Sequence, residues 1–68
     1  MREQLEKLVE EMVERGILYE DAQREFEQRF IARVLSRSGG NLSRAAEALG
    51  MHRNTLSRKI AEYRLKRS

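Results

Sequence analysis

Between residues 52 and 59 the chain reads His-Arg-Asn-Thr-Leu-Ser-Arg-Lys, seven polar side chains around a single leucine. Arginine can bind guanine O6 and N7 with two parallel hydrogen bonds, and asparagine can pair in the same bidentate way with adenine N6 and N7. Thr55, Ser57 and Lys59 carry the groups that hold phosphate oxygens, which position a protein on a duplex without reading its sequence. Bond-making chemistry has no comparable support. No nucleophile–base constellation and no catalytic carboxylate pair is visible, and Gly39–Gly40 lack the spacing of a nucleotide-binding loop. His52 is the single histidine, so a metal site has no second ligand, and its place ahead of a helix suits an N-cap or a solvated side chain. The chain is therefore read as not an enzyme, with no cofactor and no metal.

These side chains need a helix to align them. On a helix from about Arg53 to Leu65, Leu56, Ile60 and Tyr63 fall on one inward line. Asn54 and Arg58 then point nearly opposite, flanked by Thr55 and Ser57. Arg53 and Arg58 are the first choices for base edges, with Asn54 after them. Just upstream, Asn41 is a good N-cap for an alanine-rich helix, Leu42 to Leu49, which Gly50 closes in a left-handed conformation. Only Met51 and His52 separate that glycine from the next helix. Two short helices joined by a glycine-containing turn of three residues form a helix-turn-helix, whose second helix enters a DNA major groove. Ala45 and Ala46 allow the close approach of two steeply crossing helices, and Leu49, Met51 and Leu56 supply the apolar wedge. Ser43 and Arg44 sit in the first turn, where outward N–H groups suit a phosphate, and Asn41 is expected to act both as cap and as phosphate contact.

The charge distribution agrees. The net charge is +3, but residues 1–34 carry six Lys/Arg against nine acids, whereas residues 35–68 carry eight against only Glu47 and Glu62. The basic half coincides with the helix-turn-helix, as a footprint for phosphate should. No apolar run exceeds three residues, which gives no membrane span or signal-peptide core.

The four glycines, at 16, 39, 40 and 50, divide the proline-free chain into four segments with helical periodicity, and nothing alternates with period two. The fold class is all-α, a four-helix domain. A first helix, about Arg2 to Arg15, puts Leu5, Leu8, Val9, Met12 and Val13 on one stripe, with Glu3–Lys7 and Glu11–Arg15 as i,i+4 pairs. A second, about Tyr19 to Arg37, lines up Tyr19, Ala22, Phe26, Phe30 and Val34, widened by Ile31 and Leu35. Ordinary core would account for these aromatics. The stripe is also wide enough to pack across a two-fold axis. At 68 residues without cysteine the chain has a marginal core and no disulfide or zinc to staple it, so association is the expected route to stability. Residues 1–38 are read as a two-helix dimerisation region and 39–68 as the DNA-binding region of one domain. Leu5, Leu8, Val9, Met12, Tyr19, Phe26 and Phe30 are the expected interface.

The segment GGNLSRAAEALGMHRNTLSRKIAEY resembles the helix-turn-helix of the Fis family, also found at the C-terminus of NtrC-type activators and of some response regulators. Upstream, ILYEDAQREFEQRFIARVLSRSGGN resembles the long second helix of Fis itself, so the likeness spans roughly Ile17 to Tyr63. It implies an intertwined homodimer that bends double-stranded DNA, as a bacterial transcription regulator or nucleoid-associated protein in the cytoplasm. It also implies DNA contacts from His52, Arg53, Thr55, Arg58 and Lys59, and backbone contacts from Asn41 and Ser43. Ser57 stands where Fis has an arginine, and Ala61 and Glu62 where it has lysines, which implies a smaller phosphate footprint and a shallower salt dependence. Arg64 replaces the glycine that commonly caps the last helix, so that Leu65 to Ser68 either continue it or fray, and the basic tail Arg64, Lys66, Arg67 is expected to restore some phosphate contact.

Fis carries an arm before its first helix that contacts DNA invertases. This chain begins at about that helix, so stimulation of recombination is not expected. Two other readings stand beside the leading one. One is the excised C-terminal domain of an NtrC-type activator or response regulator, against which residues 1–16 read as a complete amphipathic helix. The other is a helical protein–protein adaptor, against which the Arg53–Lys59 pattern speaks.

Overall fold

The computed structural model describes residues 1–65 as four α-helices: α1 (Arg2–Glu14), α2 (Tyr19–Arg37), α3 (Leu42–Leu49) and α4 (Arg53–Tyr63). Each helix stops in the same way. An amide two residues beyond the last full turn bonds back across it, Ile17 N to Met12 O, Gly40 N to Leu35 O, Met51 N to Ala46 O and Leu65 N to Ile60 O, all at 3.0–3.1 Å. This double-bonded ending needs a residue with positive φ just past the helix. Gly16, Gly39 and Gly50 supply it in the first three helices, with φ of 72°, 64° and 70°. In the fourth, Arg64 takes it instead, at φ 55°.

That last ending corrects the sequence expectation. The helix was expected to reach about Leu65, but it stops at Tyr63, because Arg64 accepts the left-handed conformation that glycine would ordinarily provide and Leu65 leaves the helical path. The expectation that the tail as far as Ser68 either continues the helix or frays, and the phosphate contacts expected of Lys66 and Arg67, fall on residues 66–68, outside the described residues. The i,i+4 pairs Glu3–Lys7 and Glu11–Arg15 are not closed either. The ion pairs among the described residues are Arg24–Glu62, Arg29–Glu25 and Lys59–Glu27.

The core is small and lies in the C-terminal two thirds. Ile31 and Leu35 of α2, Ala45 and Ala46 of α3, and Leu56 and Ile60 of α4 are buried together, with Val34, Leu42, Leu49, Met51 and Leu65 packed around them. The two alanines do what their size allows, letting α3 approach α4 and α2 closely, and the apolar wedge of Leu49, Met51 and Leu56 closes the turn.

The wide stripe of α2 divides between two destinations. Ile31 and Leu35 are 1% and 0% exposed against the helix-turn-helix, whereas Tyr19, Phe26 and Phe30 remain 78%, 59% and 50% exposed on the other side. α1 buries nothing. With α2 it bounds an open apolar groove of about 920 Å³, lined among others by Leu5, Leu8, Val9, Met12, Phe26 and Phe30. Ordinary core within one chain thus does not account for these residues. The Phe26 and Phe30 rings lie 5.2 Å apart between centroids with their planes tilted by 40°, within the spacing of interacting aromatic pairs, yet together they still face outward. No helix among the described residues is long and apolar enough to cross a membrane.

Candidate nucleic-acid interface

The candidate surface begins at the N-terminus of α3. The Asn41 side-chain oxygen accepts the backbone N–H of Arg44 at 3.0 Å, the capping bond expected of it. The helical ladder opens with Ala45 N bonding to Asn41 O at 3.0 Å. The amides of Leu42 and Ser43 therefore precede any intrahelical bond, and point out at the positive end of the helix dipole. Asn41, Ser43 and Arg44 are all exposed there, so the Asn41 amide NH₂, the Ser43 hydroxyl and the Arg44 guanidinium remain as donors toward an anion.

α4 opens with a similar device. The Nδ1 atom of His52 accepts the backbone N–H of Asn54 at 3.0 Å. An imidazole that accepts through Nδ1 carries its proton on Nε2 when neutral, so the exposed far side of the ring is a donor. His52 is thus both cap and outward-facing side chain.

Along α4, Leu56 and Ile60 are locked into the core while Arg53, Asn54, Ser57 and Arg58 stay exposed and Thr55 is half-buried. The helix is held by one line of side chains and offers the opposite side to solvent. Arg53 and Arg58 make no ion pair among the described residues. The structure thus brings His52, Arg53, Asn54, Ser57 and Arg58 onto one accessible surface, with the Asn41–Arg44 turn as a separate donor group on the preceding helix.

Lys59 is placed differently. Its ammonium lies 3.0 Å from Glu27 Oε2 on α2, and both side chains are 29% exposed. The other oxygen, Glu27 Oε1, accepts the Tyr63 hydroxyl at 2.5 Å. Arg24, one turn back on α2, pairs with Glu62 at 3.6 Å and sets its guanidinium 5.6 Å above the Tyr63 ring. The hydrogen bonds from Tyr63 and then Lys59 hold the Glu27 carboxyl below the ordinary carboxylate value of 4.5. The same bond to Glu27 raises the Tyr63 phenol above 10.0, since a donor hydroxyl facing a carboxylate resists losing its proton.

Arg24, Glu27, Glu62 and Tyr63 were not singled out from sequence as site residues. Tyr63 was placed on the inward line of α4, and the structure puts it half-buried at the rim, bonded rather than packed. A signal existed: Arg24 and Glu27 are three apart on α2, and Lys59, Glu62 and Tyr63 follow helical spacing on α4. Which helix faces which is tertiary information, and spacing alone does not carry it.

The sequence model of the family described as bacterial regulatory protein, Fis family, matches residues 22–63, the stretch that runs from early α2 to the end of α4. A protein of Xylella fastidiosa strain Temecula1, named as a Fis-like DNA-binding protein, is 48% identical over 48 residues, which cover 71% of this chain and 53% of that one. Its counterpart in strain 9a5c is 46% identical over the same shares. The nitrogen assimilation regulatory protein NtrX of Azorhizobium caulinodans is 42% identical over 45 residues, covering 66% of this chain and 10% of NtrX. The chain thus spans about half the length of the Fis-like relatives and a tenth of NtrX. No solved structure matches it.

Proposed function

Because the chain belongs to the Fis family of bacterial regulatory proteins, we propose that it binds double-stranded DNA as a homodimer, laying α4 of each chain in the major groove. One observation carries this reading: Arg53, Asn54 and Arg58 are exposed on a helix whose opposite line, Leu56 and Ile60, is buried. Such a helix is fixed in orientation and presents its hydrogen-bonding side chains outward. In this reading Arg53 and Arg58 bind guanine edges, Asn54 binds adenine, and His52 donates to a base through Nε2. Asn41, Ser43 and Arg44 at the start of α3, with Thr55 and Ser57 along α4, hold phosphates and set the register. Lys59 lies on the same helix but is tied to Glu27.

The second chain docks on the apolar face that one chain leaves open, Leu5, Leu8, Val9 and Met12 of α1 and Tyr19, Phe26 and Phe30 of α2. A two-fold axis there gives two recognition helices and an inverted pair of half-sites. Where the two helices stand closer than successive grooves of straight DNA, the duplex bends, and deformability of the central base pairs adds specificity. The protein would act in the bacterial nucleoid as a transcription regulator or an architectural factor, and no catalytic role is part of the reading. A second reading keeps the DNA chemistry but places the helix-turn-helix in a multidomain activator, favoured by the 42% identity to NtrX.

Arg58→Ala tests the assignment of the recognition helix. Because Arg58 is exposed, the variant should melt as the wild type does and lose about 1–3 kcal/mol of affinity for a duplex carrying the preferred site. Unchanged affinity in a folded variant would remove α4 from the interface.

A further inference from the structure

We infer that Glu27 withholds Lys59 from DNA: its carboxylate occupies the lysine as a phosphate would, and so limits how strongly the recognition helix grips the duplex backbone. The inference rests on the DNA-binding reading above and deepens it, naming what restrains the same surface. It departs from the sequence expectation that Lys59 holds a phosphate.

The geometry is specific to this pair. Lys59 directly follows Arg58 on α4, yet its ammonium is 3.0 Å from a carboxylate oxygen of α2. The Tyr63 hydroxyl bonds the other oxygen of that carboxylate, which fixes the group in place without removing its charge. The neighbouring cation, Arg24, is engaged elsewhere: it pairs with Glu62 and covers the Tyr63 ring. Lys59 is therefore the one cation within ion-pair distance of Glu27 among the described residues.

The pair sits where exchange is chemically reasonable. At 29% exposure neither side chain is sealed from solvent, and an ammonium on a flexible four-carbon stem can turn to another anionic oxygen. The contrast with Arg53 and Arg58 matters. Those cations make no ion pair among the described residues, so they meet DNA without giving up a partner, while Lys59 can do so only by opening the clasp. Non-specific binding depends on how many cations neutralise phosphates, so a carboxylate that occupies one of them weakens the background against which sites are recognised.

The test uses the whole chain and a mixed-sequence duplex, titrated by fluorescence anisotropy between 50 and 200 mM salt. In Glu27→Gln the amide oxygen still accepts from Tyr63, but the charge that holds Lys59 is gone. The slope of log affinity against log salt should steepen by about 0.9 per chain, so that the variant's advantage grows about 3.5-fold per chain on going from 200 to 50 mM. Glu27→Asp keeps the negative charge and withdraws it by one methylene. It should shift the slope in the same direction, separating a released lysine from simple loss of repulsion, and it serves alone should Glu27→Gln not fold. Adding Lys59→Met to either variant should abolish the gain.

A wild type that binds the duplex while Glu27→Gln and Glu27→Asp leave its slope unchanged would overturn the inference and leave the DNA reading intact. So would a gain that survives Lys59→Met. A wild type that retains no duplex at 50 mM salt would overturn both. A readout without DNA is the melting temperature in a double-mutant cycle of Glu27→Gln and Lys59→Met. The changes should be non-additive, and strict additivity would mean that the pair does not form.

Discussion

Asn41 caps α3 and, in the proposed reading, also holds a phosphate, two roles that substitution can separate. Its side-chain oxygen caps α3 through the Arg44 amide at 3.0 Å, while its NH₂ group is left on the exposed side. Asn41→Ala should cost about 1 kcal/mol of stability and also weaken DNA binding. Asn41→Asp keeps the capping oxygen and suits the positive end of the helix, so the thermal unfolding curve should hardly move. It replaces a donor by a negative charge, however, and affinity for DNA should fall. An aspartate variant that binds as the wild type does would reduce Asn41 to a cap. His52 repeats the logic on α4, capping with Nδ1 and leaving Nε2 as a donor. The Asn41 cap is legible in the sequence, and His52 reads there as either a cap or a solvated side chain, because capping is local: a polar side chain needs only to reach an amide two or three residues ahead.

The spans of α2 and α3 and the places where the first three helices stop follow from glycine positions and apolar spacing, and the small side chains of Ala45 and Ala46 mark the tight crossing. The end of α4 did not follow, because an arginine there gives no breaker signal. Arg64 in the left-handed region carries a side-chain clash that glycine lacks. Arg64→Gly should therefore stabilise the protein by about 0.5–1 kcal/mol, raising the melting temperature by several degrees. No stabilisation would mean that α4 runs on past Tyr63 in solution. The division of α2 was legible only in part. Its periodicity marked a stripe too wide for one neighbour, but nothing local says that Ile31 and Leu35 turn to α3 and α4 while Phe26 and Phe30 turn away. The clasp between α2 and α4 was hidden for a related reason. The backbones of these helices are less closely apposed than α3 is to either, so long side chains make the bridge, and long side chains are as compatible with a solvated face as with a partner.

As a whole the molecule is lopsided, with a basic, well-packed C-terminal part and an acidic N-terminal part that exposes most of its large apolar side chains. Leu5, Leu8, Val9, Phe26 and Phe30 are about half-exposed or more, and apolar exposure on that scale marks an association surface. Sedimentation should find a dimer at micromolar concentration. Phe26→Glu with Phe30→Glu should give a monomer, since neither ring belongs to the core of the single chain. A stable folded wild-type monomer at that concentration would contradict the dimer. The dimer and the recognition helix come together in one experiment, selection of bound duplexes from a random DNA pool at near-physiological salt, followed by sequencing. The account predicts enrichment of a two-fold symmetric motif whose half-sites are lost when Arg58 is replaced by alanine. Failure to retain any duplex, or retention of an unpaired half-site indifferent to Arg58, would contradict it.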